Sequence, residues 1–212
     1  MKKAKNSLIR TFGRRHGKKL SARQQNLIDN ALPALLPAKI GTNAILEIGF
    51  GAGEHLAALS EQYPDKIILG AEPFINGVAQ LLSKIADEAG NIKPEYKNIR
   101  IWPDDARELL AEKKFGFDKI FILHPDPWPK ARHEKRRLLS AEFLEKIADA
   151  LNPDGEIIIG TDHTDYYNWI LEQAAHTGLL IKTDGIETIK TRYQEKNMFG
   201  SNKTMYVALS KN

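Results

Sequence analysis

One carboxylate, Asp126, stands among three prolines, Pro125, Pro127 and Pro129, in the stretch HPDPWPKARHEKRR from His124 to Arg137. A proline fixes its own φ and biases the residue before it towards extended geometry, so Asp126 and Trp128 are expected to be held stiffly before any ligand arrives. Lys130, Arg132, Lys135, Arg136 and Arg137 follow. A placed acid, an aromatic ring and a run of cations suit a reaction on a base of a polyanionic nucleic acid, with the cations meeting phosphates. Trp128 admits either stacking on a base or half-buried packing.

A second cluster lies earlier, in LEIGFGAGEHL from Leu46 to Leu56. Gly49, Gly51 and Gly53 permit a sharp turn and a close approach of backbone to a ligand. Their spacing is GxGxG rather than the GxGxxG of dinucleotide sites, and no Gly-Lys-Ser/Thr follows to grip a phosphate. Glu47, just before the first glycine, would repel a pyrophosphate but suits a cationic ligand. S-adenosylmethionine, with its ammonium and sulfonium, has the right sign. Acids also follow three further predicted strands: Glu72, where a ribose-binding acid belongs; Asp104 with Asp105, within reach of an adenine amino group; and Asp126. Helix capping accounts for any one of them. Four at successive strand ends point to a ligand site.

The elements that must position these groups alternate. Ser21 is a plausible N-cap for a helix through Leu27, Ile28, Ala31 and Leu32 that ends near Pro33 and Pro37. Strands are predicted at Ala44–Ile48, Lys66–Ala71, Asn98–Trp102, Phe117–Leu123, Glu156–Thr161, Leu179–Thr183 and Thr204–Ser210. Helices are predicted at Gly53–Gln62, Phe74–Glu88, Ala106–Lys113, Leu138–Leu151 and Asp165–His176. Near-continuous apolar strands alternating with helices indicate an α/β fold with a parallel sheet covered on both faces. Such sheets bind ligands at the carboxyl ends of their strands, near a topological switch point.

With 212 residues, the chain is expected to form a basic, mobile arm over residues 1–20 and a single domain over residues 21–212. From Met1 to Arg23 there are nine Lys or Arg and no acid, while the whole chain carries a formal charge of only +4. Such an arm fits a solvated tail or a nucleic-acid contact, and a mitochondrial transit segment ranks below both because it lacks an apolar face. As a nucleic-acid contact, its removal is expected to weaken RNA binding and leave small-ligand binding intact. With no cysteine, disulfides, thiolate metal sites and cysteine nucleophiles are excluded, which fits a reducing, cytoplasmic setting. No apolar run reaches the roughly 20 residues of a membrane span. His55, His133, His163 and His176 show no metal-ligand spacing, and no metal is expected.

In order along the chain stand LEIGFGAG, GAEPFINGV, DDA, PDPWPKARHEKRR, Thr161-Asp162 and TRYQEK at Thr191–Lys196. This series resembles the bacterial tRNA (guanine-N7)-methyltransferases over roughly residues 40–210. The resemblance implies a Rossmann-like class I methyltransferase fold. Its sheet would be mostly parallel and seven-stranded, with helices on both faces and the last strand antiparallel. It also implies S-adenosylmethionine as cofactor, tRNA as partner, and methylation of a guanine in the variable loop. By motif, Glu47, Gly49, Gly51, Gly53, Glu72 and Asp105 match cofactor positions, and Asp126 matches both a cofactor contact and the catalytic acid. Lys130, Asp162, Thr191, Arg192, Tyr193 and Gln194 match substrate-binding positions. His124 stands where an aromatic such as Phe or Tyr often precedes the PDPW, and Gln194 where Glu is usual, with Glu195 next.

Guanine N7 carries a free lone pair and needs no general base, so catalysis rests mainly on alignment. A carboxylate at Asp126 either stabilises the positive charge that develops on the ring or selects the base by accepting its hydrogen bonds. Two other functions compete: an RNA-binding module that has lost catalysis, and a methyltransferase for a small molecule. The acids at the strand ends argue against the first, the cations against the second.

Overall fold

In the computed structural model, residues 12–37, 41, 43–112, 116–189 and 203–212 are described. Helix α1 (Ala22–Asn30) starts where the sequence places a cap. Ser21 Oγ accepts the Gln24 N–H at 3.2 Å and Gln24 Oε1 accepts the Ser21 N–H at 3.0 Å, a reciprocal capping box. A short helix, α2 (Leu32–Leu35), follows. The chain then alternates through β1 (Ala44–Ile48), α3 (Glu54–Gln62), β2 (Ile67–Ala71), α4 (Ile75–Ile85), β3 (Ile99–Trp102) and α5 (Ala106–Glu112). Next come β4 (Phe117–Leu123), α6 (Ala141–Ala148), β5 (Leu151–Thr161), α7 (Thr164–Ala175), β6 (Leu180–Lys182) and β7 (Met205–Ser210).

The strands form one seven-stranded sheet in the order β3-β2-β1-β4-β5-β7-β6. The pairings among the first five are parallel, and β7 runs antiparallel between β5 and β6. Each side of the sheet carries its own core because successive strand residues face opposite ways. On one face Leu46, Ile120 and Ile157 meet α5, α6 and α7. On the other Ile45, Ile68 and Phe121 meet α1 to α4. The chain leaves β1 towards one edge of the sheet and returns at β4 to build towards the other. The β1/β4 boundary is therefore the switch point, with the ends of both strands splayed around it.

Two boundaries differ from those expected. Helix α6 begins at Ala141, later than Leu138, because Ser140 caps it by accepting the Phe143 N–H. Strand β5 begins early, at Leu151, which pairs with Phe117. Residues 152–155, which lie between the predicted helix and the predicted strand, bulge out between that pair and Lys119↔Glu156. Asn152 Nδ2 ties the bulge to Asp118 Oδ1 at 2.6 Å. Two 3₁₀ turns, Pro94–Tyr96 and Ala131–Arg136, were not anticipated. No helix among the described residues is long and apolar enough to cross a membrane.

Candidate active site

The β1–α3 turn opens at the switch point. Gly49, Gly51 and Gly53 take φ of 76°, 55° and 74°, a region that side chains rarely enter. Gly53 is further restricted, since a Cβ there would lie 2.6 Å from the Leu81 side chain. At Gly49 and Gly51 a Cβ would meet nothing within 4 Å, so that side of the turn is open. The underside is closed by Gly77 of α4, where a Cβ would lie 2.4 Å from the Gly51 carbonyl oxygen. Gly77 was not singled out from the sequence. Its signal, a glycine early in a helix, is shared by many glycines with no such role. Gly77→Ala is expected to lower stability by about 1–3 kcal/mol through overpacking and to displace the turn. Calorimetry reads the loss, and an unchanged melting temperature would show that α4 can retreat.

Glu72, at the end of β2, is 7% exposed and holds the turn from the other side. Its Oε2 accepts the Gly51 N–H at 2.8 Å and its Oε1 accepts the Phe74 N–H at 2.8 Å. Burial raises its pKa above the usual carboxylate value; the two N–H donors oppose this, and the nearby Glu47 and Asp126 reinforce it. Glu72 thus braces the glycine turn while its carboxylate lines the cavity. Glu72→Ala is expected to weaken S-adenosylmethionine binding by about 1.5–3 kcal/mol, the scale of a lost charge-assisted hydrogen bond. Titration calorimetry giving wild-type affinity in a folded variant would remove Glu72 from the site.

The other acids are deployed less uniformly than their spacing suggested. Asp105 caps α5: its Oδ1 accepts the Arg107 N–H and Nε–H, each at 2.9 Å, and its Oδ2 accepts from Arg107 Nη2 at 2.7 Å. This pairing raises the Arg107 pKa and anchors Asp105 in the cavity wall. Asp104, 6% exposed, accepts Arg15 Nη2 at 2.5 Å. Glu47 is 3% exposed and absent from the cavity wall. It faces the α3 side of the sheet, with His55 Nδ1 3.2 Å from its Oε2.

The cavity itself encloses about 410 Å³ and runs from Gly49 and Glu72 to Asp126 and Trp128. Asp126 is exposed at its mouth. The backbone around it departs from expectation. His124 and Trp128, each followed by a proline, take φ of 50° and 43° rather than extended values. Proline disfavours right-handed helical geometry at the preceding residue, and surrounding contacts can enforce a positive φ at a cost of order 1–3 kcal/mol. For Trp128 those contacts are the His133 ring, edge-on at 5.7 Å, and the Arg136 guanidinium at 4.9 Å. For His124 one is its N–H, donated to the Gly160 carbonyl at 2.7 Å.

The cationic run divides by role. Lys130, Arg132 and Lys135 are exposed. Arg137 is turned inwards: its Nε donates to the Pro127 carbonyl at 2.9 Å and its guanidinium packs 5.0 Å from Trp169 and 5.4 Å from Tyr166. It ties the proline loop to α7. Arg136 lies between two rings, Trp128 and Phe12 at 5.5 Å. Asp162 follows β5, its Oδ1 3.8 Å from His124 Nδ1. Thr191, Arg192, Tyr193 and Gln194 lie outside the described residues.

Phe12 belongs to the basic arm, whose described part packs on the domain. The Arg15 carbonyl accepts the Ile75 N–H at 3.1 Å, and the Arg15 guanidinium pairs with Asp104. Asn76 Oδ1 accepts the Gly17 N–H at 2.7 Å, and Asn76 Nδ2 donates to the Lys18 carbonyl at 2.6 Å. Phe12, Gly13 and Arg14 thereby line the cavity. Nothing local in the chain signals this placement, because the partners are 58 to 89 residues away. Among the described residues no group of three or more His, Asp or Glu could hold a metal ion.

A family model described as "Putative methyltransferase" matches residues 42–203. A tRNA (guanine-N(7)-)-methyltransferase of Sphingopyxis alaskensis is 44% identical over 172 residues, 76% of this chain and 72% of its own length. That of Caulobacter sp. strain K31 is 35% identical over 209 residues, 90% of each chain. A precorrin-6y C5,15-methyltransferase from Geobacter metallireducens superposes with a TM-score of 0.56 at 15% identity, covering 93% of this chain and 92% of its own, a likeness of fold alone. The family model spans both ends of the cavity, from the glycine turn to the cationic loop, and with these relatives it shows that the chain belongs to the tRNA (guanine-N(7)-)-methyltransferase family.

Proposed function

We propose that the protein transfers a methyl group from S-adenosylmethionine to N7 of a guanine in the variable loop of tRNA. The observation that carries this reading is one cavity with two unlike ends. An open glycine turn braced by buried Glu72 forms the inner end, and Asp126 beside exposed cations forms the mouth.

The inner end fits S-adenosylmethionine by the chemistry of its donors and acceptors. Gly49 and Gly51 leave room for close approach, Glu72 can accept from ribose hydroxyls, and Asp105 stands anchored by Arg107 in the cavity lining for the adenine. Glu47, buried beside His55 on the strand that leads into the turn, is assigned to the cofactor by the family motif. When bound, S-adenosylmethionine supplies an electrophilic sulfonium methyl. The protein contributes alignment and electrostatics. Asp126, at the mouth, faces the incoming guanine and the positive charge that develops on it. Trp128 offers a ring edge or face to a base, and Lys130, Arg132 and Lys135 meet phosphates. Asp162 serves the acceptor side, and Thr191, Arg192, Tyr193 and Gln194 are assigned to tRNA binding by the family motif alone. A chain without cysteine suits work in a reducing cytoplasm.

The deciding experiment is transfer of labelled methyl from S-adenosylmethionine to bulk tRNA, followed by digestion and identification of the nucleoside. 7-Methylguanosine mapped to the variable loop is expected. Label confined to small molecules, or tRNA binding without transfer, would overturn the proposal.

A further inference from the structure

Strand β4 runs into a residue whose backbone conformation has to be imposed on it. His124 takes φ 50° ahead of a proline, and an outlier of this kind persists only where its surroundings over-determine it. The Gly160 carbonyl holds its N–H at 2.7 Å, continuing the β4–β5 pairing one step beyond the last registered pair. The consequence is an imidazole set in the cavity wall. Its side chain is 18% exposed, with Nδ1 3.8 Å from Oδ1 of Asp162, and Asp162 is 41% exposed. One flank of the Asp162 carboxylate therefore meets His124 and another remains open to a ligand.

We infer that His124 is a positioning residue for the acceptor base. Its imidazole sets the Asp162 carboxylate at the rim of the cavity, and its imidazolium draws Asp162 into an ion pair and away from RNA. The inference rests on the proposed function, in which Asp162 meets tRNA. Burial holds the His124 pKa below the usual histidine value, with Asp162 acting in the opposite sense. The ring therefore favours its neutral form more than an ordinary histidine does and takes up its proton as the pH falls. Around it, among the described residues, the other ionisable groups at this end of the cavity are Asp126 on the same loop, His163 beside Asp162, and Lys135, Arg136 and Arg137 in the wall. Asp162 is the acid within ion-pair distance.

Two measurements test this. The first needs no RNA: the His124 imidazole is titrated by proton NMR, its resonance assigned by loss in His124→Gln. In Asp162→Asn the ring should titrate at lower pH, because the charge that favours the imidazolium is gone. The second is the pH profile of methyl transfer to tRNA. In the wild type, kcat/KM should fall as the pH drops through the His124 titration read by NMR, by up to about tenfold per pH unit as one proton allows. The fall should appear in KM more than in kcat. His124→Gln and His124→Phe should both lack this acid limb, and His124→Gln, which keeps a hydrogen-bond donor, should keep KM near wild type at neutral pH. A titration indifferent to Asp162, or an acid limb retained in His124→Gln, overturns the role of His124 alone. A wild type that transfers no methyl to tRNA overturns the functional reading and this role with it.

Discussion

Asp126→Asn is expected to fold normally, to keep most of its affinity for S-adenosylmethionine, and to transfer methyl more slowly by a factor on the order of 10² or more, the effect of losing one preorganised electrostatic partner. The substitution preserves shape and removes charge. It occurs at an exposed position on a loop whose backbone is held independently, by Arg137 on the Pro127 carbonyl and by Trp128 against His133 and Arg136. Collapse of the loop is therefore not expected. Single-turnover transfer with both tRNA and S-adenosylmethionine saturating isolates the chemical step. A near-wild-type rate would mean that the Asp126 charge is dispensable and that alignment by the rest of the site suffices. Asp162→Asn provides the contrast. It should act through tRNA affinity, with little change in the saturated rate.

Removal of residues 1–19 should produce the other large effect, and on two ligands at once. The arm carries eight of the chain's cations within those residues, and each lost phosphate contact should reduce the slope of log affinity against log salt by roughly 0.7–0.9. Loss of a few such contacts corresponds to a fall in tRNA affinity of about tenfold or more at moderate salt. Composition alone predicts that small-ligand binding survives the deletion. The structure changes that expectation. Phe12, Gly13 and Arg14 form part of the cavity wall, and Arg15 holds Asp104 next to Asp105. Affinity for S-adenosylmethionine should therefore fall too. Arg15→Ala tests the second effect by itself, since it releases the anchor and removes only one cation. Titration calorimetry and filter binding across a salt series read the two affinities. An unchanged salt slope would make the arm a mere tail. An unchanged S-adenosylmethionine affinity would show that the arm covers the cavity without shaping it.

The local parts of this protein could be read from the chain. Strands Ala44–Ile48 and Phe117–Leu123 stand where their apolar runs begin and end, because a strand covered on both faces is built mainly from apolar residues. The capping box at Ser21, the turn-forming glycines and the acids at the strand ends are equally local, as each depends on neighbours within a few residues. What each acid does was settled only by folding. Glu72 braces the turn through Gly51, Asp105 is claimed by Arg107, and Asp104 is claimed by an arginine 89 residues earlier. The cationic run likewise reads as one patch, yet Arg137 is drawn inwards by the Tyr166 and Trp169 rings and Arg136 is clasped between Phe12 and Trp128. The prolines announced a stiff loop. The positive φ at His124 and Trp128 came from partners in β5 and the following 3₁₀ turn. Residue type and spacing determine which groups are available and which strand ends they occupy. Which of them point at a ligand depends on packing between distant segments, and that is a property of the tertiary structure alone.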